Sequence, residues 1–407
     1  MRVQTIDCVT ECEEHSIMKK RVFILSNSKL PHGDANSNYI LYMSKALAYA
    51  GWDVIAIGSH NGEDRTEVQV DENLICVNIP FQKKKMPMKI KGTLLFGNLI
   101  HRELSKWNIN SDDYFILYGG YISLFSQIAK KYQCIPKKHI ITCVVEWPMA
   151  SQYKFGKLDP VYLLWHRIFY KWMPYWGKVI VISKNLQRHF DALSCSTFYL
   201  PPLIDSEESG LGEVCENGNP VKFIYAGAFS KKDALDSMLI ALDLLSGEEL
   251  EKFQFHITNN KPEQIKEYLG KYGYILDKFK NILHIHGWLE YEELMSLYST
   301  ADYLLLARPN NQYTISNFPS KVPEMMNYGI VPVCTRVGDY TEDFLTDNVD
   351  SIIFDGCEPE DCANAIRRAI SKSFEERQQL KNNSKENSKT MFDYRSWSNR
   401  LNKFLEV

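Results

Sequence analysis

The chain alternates short apolar runs with segments of helical periodicity. The apolar run Arg21–Ser26 leads into a polar segment that contains glycine, Asn27–Asn38. The next segment, Tyr39–Ala50, repeats its apolar residues at helical spacing and is followed by a second apolar run, Val54–Ile57. This order of strand, loop, helix and strand predicts the βαβ unit of a parallel sheet.

The alternation continues through the N-terminal half and predicts a Rossmann-like domain. Its further strand candidates are Leu74–Ile79, Tyr114–Tyr118, His139–Val145 and Val179–Ile182. An acidic, glycine-rich segment then interrupts the pattern, as a linker would. After it, Val221–Ala226 and the helical stretch Ala234–Leu245 repeat the opening strand, loop and helix. Strand candidates in the second half are Phe253–Ile257, Ile282–His286, Tyr303–Ala307, Val331–Cys334 and Ser351–Phe354.

The predicted organisation is α/β, with two facing Rossmann-like domains and a ligand cleft between them. The predicted segments are a polar tail (1–18), an N-terminal domain (19–205), a linker (206–220), a C-terminal domain (221–390) and a terminal amphipathic helix (391–407) that docks on one of the domains. Ligands of such sheets bind outside the carboxyl ends of the strands, so the loops that follow the strands are the places to search for chemistry.

Composition and charge narrow the function classes. The 407 residues are 45% hydrophobic, 13% aromatic and 24% charged, which is typical of a folded protein. A net charge of -3 argues against nucleic-acid binding, yet residues 19–205 carry +10 and residues 206–407 carry -10. Ten cysteines without a C-x-x-C pair indicate reduced thiols and a cytoplasmic protein. The tail lacks the apolar core of a signal peptide, and without 18 consecutive apolar residues any membrane contact is peripheral.

The loop after the first strand of the C-terminal half could bind phosphate. Gly227 follows that strand, and Lys231 and Lys232 come shortly after it. Glycine lets backbone N–H groups approach a ligand, and the lysines supply positive charge. A solvated turn with surface lysines explains the same residues. Neither half has G-x-G-x-x-G after its first strand, which disfavours a dinucleotide dehydrogenase.

The densest group of candidate residues lies between Arg308 and Gly338. Arg308 follows a strand, and Ser320 is expected to cap a short helix whose first turn holds Lys321 and Glu324. A diphosphate would meet both cations there, and the carboxylate of Glu324 suits the vicinal hydroxyls of a ribose. Alternatively, Glu324 only stabilises the helix and Arg308 forms a surface ion pair.

These segments resemble glycosyltransferase family 4. The resemblance is carried by FPSKVPEMMNYGIVPVCTRVGDYTEDFL, IHGWLEYEELMSLYSTADYLLL and FIYAGAFSKKDALDSMLIAL, and by the order of elements from Lys20 to Leu405. It is strongest over Ile285–Phe344 and points to the F-P-S-K…E branch of the family. It implies the GT-B fold, a nucleotide-sugar donor and transfer with retention.

The resemblance also implies a donor site. Its residues would be Gly227, Lys231, Lys232, Arg308, Asn317, Ser320, Lys321 and Glu324. The cations would neutralise the diphosphate and Glu324 would bind the ribose. Many family members have a Glu eight residues before this one, in contact with the donor sugar, where this chain has Ser316. Neighbouring Asn317 could hydrogen-bond a sugar hydroxyl instead, and some branches with an F-P-S-K type motif also lack that first Glu.

The N-terminal half supplies the acceptor candidates. Gly33 and Asn36 lie in the loop after the first strand, where the family places its glycine-rich acceptor loop. Glu146 ends a strand at a position where family members keep a catalytic or acceptor-orienting acid or His. It is the candidate catalytic residue, as a base for the acceptor hydroxyl or as a stabiliser of positive charge on the sugar ring. A connecting loop and a capping or ion-paired Glu are the alternatives.

Two stretches raise the possibility of membrane contact. Asp159–Lys178 is aromatic and basic, and Lys83–Lys91 is cationic. Such segments suit a membrane interface and an anionic, polyprenyl-diphosphate-linked acceptor. A core helix and a solvated lysine run are the commoner explanations of such segments. His284 and His286 share one face of a strand without an evident third ligand, and no D-x-D motif is placed for a metal-bound diphosphate, so neither a metal nor another cofactor is expected.

The expected function is therefore that of a retaining hexosyltransferase. It would transfer a sugar from a nucleotide-diphosphate sugar to a hydroxyl of a glycan, free or lipid-linked, in surface polysaccharide biosynthesis. The expected location is the cytoplasm, with peripheral contact at the inner face of the membrane. Two alternatives remain open: a nucleotide-sugar epimerase of the same fold, and a catalytically silent GT-B partner subunit.

Overall fold

The structure, a computed structural model, describes residues 20–81, 89–119, 121–208, 220–227 and 232–407. Two α/β domains each surround a largely parallel sheet. The strands of the N-terminal domain are β1 (Arg21–Leu25), β2 (Asp53–His60), β3 (Thr66–Asp71), β4 (Leu74–Pro80), β5 (Tyr114–Tyr118), β6 (Ile140–Val144), β7 (Lys178–Val181) and β8 (Ser196–Tyr199). Its α-helices are α1 (Ala35–Tyr49), α2 (Lys89–Leu104), α3 (Ile122–Lys131), α4 (Pro160–Arg167) and α5 (Lys184–Ala192).

The C-terminal domain repeats this plan with six strands. They are β9 (Val221–Ala226), β10 (Phe253–Thr258), β11 (Leu283–Gly287), β12 (Tyr303–Leu306), β13 (Val331–Thr335) and β14 (Ile352–Phe354). The α-helices after the linker are α6 (Leu235–Ile240), α7 (Gly247–Leu250), α8 (Pro262–Leu269), α9 (Ile275–Lys278), α10 (Tyr291–Thr300), α11 (Gln312–Ile315), α12 (Lys321–Asn327), α13 (Asp339–Asp343), α14 (Pro359–Ile370), α15 (Phe374–Phe392) and α16 (Tyr394–Glu406).

Both sheets are doubly wound. The first has the order β3-β4-β2-β1-β5-β6-β7-β8 and the second the order β11-β10-β9-β12-β13-β14. All neighbouring strands pair in parallel except β3, which runs antiparallel to β4 at the edge of the first sheet. Central strands are buried on both faces, which explains why they were recognisable as continuous apolar runs. The prediction of two Rossmann-like domains is confirmed.

The first helix begins earlier than its apolar periodicity predicted. It starts at Ala35 rather than at Tyr39, because Asp34 caps it. Oδ1 of Asp34 accepts hydrogen bonds from the backbone N–H groups of Asn36 and Ser37, each at 3.0 Å, and the Ser37 hydroxyl accepts one from the Asp34 N–H. This capping box satisfies N–H groups that the first turn would otherwise leave unpaired.

The last helix returns to the N-terminal domain. Helix α16 packs against α1, and Nε1 of Trp52 donates a 2.7 Å hydrogen bond to Oδ1 of Asn402. The buried ammonium of Lys178 donates to the carbonyl oxygens of Phe404 and Leu405 at 3.1 and 3.0 Å. These bonds give the final carbonyls of the helix a cationic partner, as a helix C-terminus favours. No described helix is long and apolar enough to cross a membrane.

Candidate active site between the two domains

A buried carboxylate stands at the centre of the donor-site candidates. Oδ1 of Asp233 accepts a hydrogen bond from Nε of Arg308, and Oδ2 accepts bonds from Nζ of Lys321 and from the hydroxyl of Tyr225, all at 2.9 Å. Burial alone would raise the pKa of Asp233, but Lys321 and Arg308 outweigh burial and hold this pKa well below its usual range. The cluster holds two cations against one carboxylate, so it carries excess positive charge.

Arg308 has a further donor that is not used. The residue is 3% exposed, and Nη2 donates a 3.0 Å hydrogen bond to Oδ1 of Asn317. Its Nη1 is buried and has no hydrogen-bond partner among the described residues. A buried guanidinium donor left unpaired is costly, which makes an anion next to Arg308 favourable.

Gly227 lies directly against Lys321. Its φ of +141° is rarely adopted by other residues, and a Cβ there would approach Nζ of Lys321 to 3.1 Å. Nδ2 of Asn260 holds the Gly227 carbonyl oxygen at 2.7 Å, and the Lys321 ammonium lies 4.2 Å from the ring centroid of Tyr225. Burial lowers the pKa of Lys321, although Asp233 opposes this shift. The first strand of this domain is therefore followed by a glycine, whose positive φ and missing side chain allow the Lys321 ammonium to lie close to the backbone.

Lys231 lies outside the described residues, whereas Lys232 reaches across the cleft. Its ammonium forms an ion pair with Glu146, the residue that follows β6 by two positions in the other domain. It also lies 4.8 Å from the ring centroid of Tyr313. Burial lowers the pKa of Lys232, but Glu146 and Tyr313 outweigh it and the net shift is upward. The candidate catalytic carboxylate and a candidate donor-binding lysine thus contact each other.

Ser316 and Asn317 connect the domains. Nδ2 of Asn185, on α5, donates a 2.7 Å hydrogen bond to the fully buried hydroxyl of Ser316, which itself donates to the Gln312 carbonyl at 2.6 Å. Nδ2 of Asn317 donates at 3.3 Å to the carbonyl of Val145. Both hydrogen bonds of the Ser316 hydroxyl are therefore taken up, one of them by a residue of the other domain.

Glu324 offers open acceptor oxygens. It lies in the first turn of α12, is half-buried, and has no hydrogen-bond partner among the described residues. Burial raises the pKa of its carboxyl to about 7, and Lys321 opposes that rise. The negative charge of Glu324 also contributes to raising the pKa values of the Tyr42 and Tyr298 hydroxyls. A neutral diol that donates to this carboxylate would relieve the cost of its burial.

The expected capping role of Ser320 is wrong. Ser320 has helical backbone angles, φ -57° and ψ -25°, and its side chain makes no capping hydrogen bond. The chain is already turning before α12, because the Val322 N–H donates to the carbonyl of Pro319 at 3.0 Å. A cap requires extended backbone angles at its own residue, which this approach to the helix does not allow.

The acceptor-loop candidates line a cavity in the N-terminal domain. Gly33 and Asn36 border a space of about 320 Å³ together with Asn27, Asp34 and His60. A Cβ at Gly33 would lie 2.8 Å from Oγ of Ser37 and 2.9 Å from the Lys29 carbonyl, so the loop is closely packed here. The Tyr118 hydroxyl donates a 2.7 Å hydrogen bond to Oδ1 of Asn36. Burial raises the pKa of Tyr118, and the charges of Glu146 and Asp34 add to that rise. Tyr118 therefore holds the Asn36 side chain at the edge of this cavity.

Three site residues were not found from the sequence: Asp233, Tyr313 and Asn185. Asp233 directly follows Lys232, so a carboxylate beside a run of lysines was visible, but nothing in the sequence indicated that it would be buried against Arg308 and Lys321. Tyr313 and Asn185 act across the cleft. Such contacts depend on how close the two domains lie to each other. The apolar periodicity within one domain carries no information about that distance.

The histidine pair of β11 has a third member. Nδ1 of His256, on β10, lies 2.9 Å from Nε2 of His286, and its ring stacks on those of His284 and His286. Burial lowers the pKa of His256 to about 3, with the neighbouring imidazoles adding to the shift. Within the described ranges, no group of three His, Cys, Asp or Glu side chains is placed to hold a metal ion.

Comparisons with known proteins agree with this architecture. Residues 213–387 match the family model described as glycosyl transferases group 1. Sucrose-phosphate synthase from Thermosynechococcus elongatus superposes with a TM-score of 0.72 at 13% identity, over 95% of this chain and 98% of that one. An E. coli structure described as trehalose-6-phosphate bound with UDP-2-fluoro glucose gives 0.67 at 12% identity, over 95% and 99%.

WaaG, described as a glycosyltransferase involved in lipopolysaccharide biosynthesis, gives a TM-score of 0.66 at 12% identity, over 94% of this chain and 99% of that one. A search of curated proteins found no match. At these low sequence identities the structural likeness shows the fold alone. The match to the family model concerns the C-terminal domain. The chain has the GT-B fold, and its residues 213–387 match the model of glycosyl transferases group 1.

Proposed function

We propose that the chain is a retaining glycosyltransferase of family 4, in the F-P-S-K…E branch, that transfers a hexose from a nucleoside diphosphate to a hydroxyl acceptor. The observation that carries the proposal is the buried Nη1 of Arg308, which has no hydrogen-bond partner among the described residues and lies in the same cluster as Lys321. One carboxylate, Asp233, serves both cations. The remaining positive charge and the free donor suit an anion at the carboxyl ends of β9 and β12.

The leaving diphosphate is the anion that this cluster fits best. When the bond from the sugar C1 to the diphosphate oxygen breaks, negative charge grows on the phosphate oxygens. Arg308 and Lys321 are fixed in place by Asp233 and Tyr225, so they can stabilise this charge without reorganising. Gly227 leaves room for a phosphate to approach Lys321. In this proposal the protein's own cations supply the charge, and no metal or other cofactor is required.

Glu324 would hold the nucleotide. Its two carboxylate oxygens have no described hydrogen-bond partner, and vicinal ribose hydroxyls are donors that match them. Glu324 is one turn from Lys321 on the same helix, so ribose and diphosphate would bind to neighbouring positions of α12. Asn317, whose Oδ1 is held by Arg308, would place an amide near the sugar.

Glu146 would act on the acceptor. The acceptor oxygen forms the new bond to C1, and its proton passes to Glu146 or to the departing phosphate oxygen. Lys232 now pairs with Glu146, and a phosphate oxygen that reached Lys232 would compete for it and free the carboxylate. Donor binding would thereby prepare the base. Retention requires attack from the face that the diphosphate leaves, and the contact between Lys232 and Glu146 supports such proximity.

The acceptor would be a glycan hydroxyl, either free or on a polyprenyl diphosphate, used in surface polysaccharide biosynthesis at the inner face of the membrane. The polar cavity at Gly33 and Asn36 offers amide, carboxylate and imidazole groups for sugar hydroxyls. The likeness to WaaG, described as involved in lipopolysaccharide biosynthesis, is in keeping with such an acceptor.

A catalytically silent partner subunit is the second candidate. It is favoured by Ser316, whose hydroxyl is occupied by Asn185 and Gln312 and which lacks the carboxylate of related sequences. An epimerase of the same fold is the third candidate, since it would use the same donor site without an acceptor.

Turnover assays distinguish the three candidates. The protein is incubated with a panel of nucleotide sugars, with and without glycan and polyprenyl-diphosphate-linked acceptors, and products are identified by anomeric NMR couplings. Release of nucleoside diphosphate that depends on an acceptor, with the donor configuration kept in the product, supports the transferase. A changed nucleotide sugar without acceptor supports the epimerase. Nucleotide binding without turnover in every combination supports the silent subunit.

A further inference from the structure

Residues 154–171 present large apolar side chains to solvent. Phe155 is 64% exposed, Leu158 83% and Leu163 52%, and Tyr170 is exposed as well. They lie close together in sequence, around a 3₁₀ turn, Gly156–Leu158, and the helix α4 that follows it. Exposed apolar side chains that are scattered singly need no explanation, whereas a group within one short segment marks an interaction site.

The helix in this segment has an outward face that is both apolar and basic. Helix α4 contains no buried residue, and Leu163, Arg167 and Tyr170 follow one another at spacings of four and three along α4 and the π-helical turn after it, with Lys171 four residues after Arg167. The opposite side contributes Ile168 and Phe169 to the core. These two residues attach the helix to the core. On the outer face, the ring of Tyr170 lies against those of His166 and His189, while Leu163, Arg167 and Lys171 are exposed.

The cations of this segment have no carboxylate partner among the described residues. Lys154, Lys157, Arg167 and Lys171 are exposed, and none of them forms an ion pair with any described residue. The only carboxylate between residues 150 and 176 is that of Asp159, which is buried and caps α4 through the N–H groups of Val161 and Tyr162. The surface thus carries net positive charge that no acidic neighbour offsets.

We propose that the 154–171 surface binds an anionic lipid membrane. Basic side chains interspersed with exposed aromatic and aliphatic ones match the boundary between lipid headgroups and acyl chains, where cations meet phosphates and apolar tips insert. Lysine is depleted in protein–protein interfaces, which disfavours a protein partner. A second copy of the same surface would bring four more cations against these four.

The 154–171 surface lies next to the cleft between the domains. The segment begins beside the catalytic candidate: Gln152 hydrogen-bonds Tyr313, and the charge of Glu146 reaches the Tyr153 hydroxyl. A protein docked through this surface would hold its cleft next to the bilayer. The proposal deepens the proposed function, which places the acceptor at the inner face of the membrane, but its test needs no donor, so either can fail without the other.

The test is co-sedimentation of the full chain with phosphatidylcholine vesicles that do or do not contain about a third phosphatidylglycerol. The wild type is expected to bind only the anionic vesicles and to be released by salt. The double variant Leu158→Asp/Leu163→Asp should reduce partitioning by at least about tenfold. Trp288→Asp is the matched control, because Trp288 is 73% exposed on the other domain, and it should bind as the wild type does.

A second double variant distinguishes a loss of membrane binding from a loss of folding. Lys157→Glu/Lys171→Glu changes only exposed charges and should weaken binding to anionic vesicles by about tenfold or more while the melting temperature stays unchanged. The proposal is overturned if the wild type ignores anionic vesicles, if both double variants bind as the wild type does, or if light scattering shows a lipid-independent dimer that these variants dissociate.

Discussion

Nε of Arg308 donates a 2.9 Å hydrogen bond to Oδ1 of Asp233, and both side chains are almost completely buried. Lys321 donates to the other oxygen of the same carboxylate. Breaking a buried ion pair by removing one partner is strongly destabilising, because the remaining charge stays buried without compensation. Asp233 therefore holds together the cations on which the proposed donor site depends.

Replacing Asp233 by Asn should destabilise the protein by about 3 kcal/mol, since Arg308 and Lys321 would lose their shared counter-charge. Urea unfolding measures the change. A nucleoside diphosphate should recover part of the loss, because its phosphates replace the missing negative charge. Asp277→Asn, which removes an exposed partner of Lys266, is the control and should cost under about 1 kcal/mol. Equal stability of the two variants would contradict this account of the cluster.

Replacing Arg308 by Lys should weaken donor binding by about tenfold, because the substitution keeps the charge but loses the planar donor fork that bonds Asp233 and Asn317 at once. Isothermal titration with the nucleoside diphosphate measures the affinity. Arg367→Lys, at a partly exposed pair with Glu249, should leave the affinity unchanged. An Arg308→Lys protein with wild-type affinity would show that the guanidinium does not contact the diphosphate.

Replacing Glu146 by Gln should lower kcat by at least about a hundredfold, because the proposed base is lost, while the donor should bind at least as tightly as to the wild type, because Lys232 is released from its ion pair. Its ion pair with Lys232 is partly exposed, so stability should fall by less than about 1 kcal/mol. Steady-state kinetics together with thermal unfolding separate the two effects. A kcat within twofold of the wild type would remove Glu146 from the mechanism.

The pH dependence should reveal Glu324. Its folded pKa, about 7, lies above the ordinary value of 4.5, so the folded state binds this proton more tightly than the unfolded state does. Its contribution to stability is therefore present at low pH and is lost as the pH rises towards 7. Glu324→Gln should be more stable than the wild type by about 1 kcal/mol near pH 8, and the difference should shrink near pH 5.

Donor affinity should follow the opposite trend. Ribose hydroxyls donate to the ionised carboxylate, so binding by the wild type should strengthen as the pH rises through about 7. Each comparison is made between variant and wild type at the same pH, which cancels other titrating groups such as Asp339, whose pKa burial raises to about 6. A difference in stability that does not change between acidic and alkaline pH would contradict the assigned pKa.

The fold was largely predictable because buried parallel strands are apolar without interruption, as in β1 and β12. Strand β3 was not predicted, since its exposed residues alternate without an apolar run and it is held only by its antiparallel pairing with β4 at the sheet edge. The start of α1 was displaced because a cap at Asp34, rather than apolar periodicity, decides it.

The site residues that lie in one loop were predictable from the sequence. Contacts between residues far apart in the sequence were not. Arg308, Lys321 and Glu324 lie in one short stretch after a strand, so their grouping was visible in the sequence. Asp233 was not, because its burial depends on packing between β9, β12 and α12. Ser320 failed as a cap because backbone angles, which the residue type does not fix, decide whether a serine can cap a helix.

The most direct test of the central claim is calorimetric titration of the protein with a panel of nucleoside diphosphates and nucleotide sugars, with Glu324→Ala and Glu386→Ala in parallel. Glu386 is an exposed residue of α15 and serves as the control. One nucleotide should bind the wild type and Glu386→Ala equally and Glu324→Ala at least about tenfold more weakly. If no nucleotide binds, or if Glu324→Ala binds as the wild type does, the proposed donor site is contradicted.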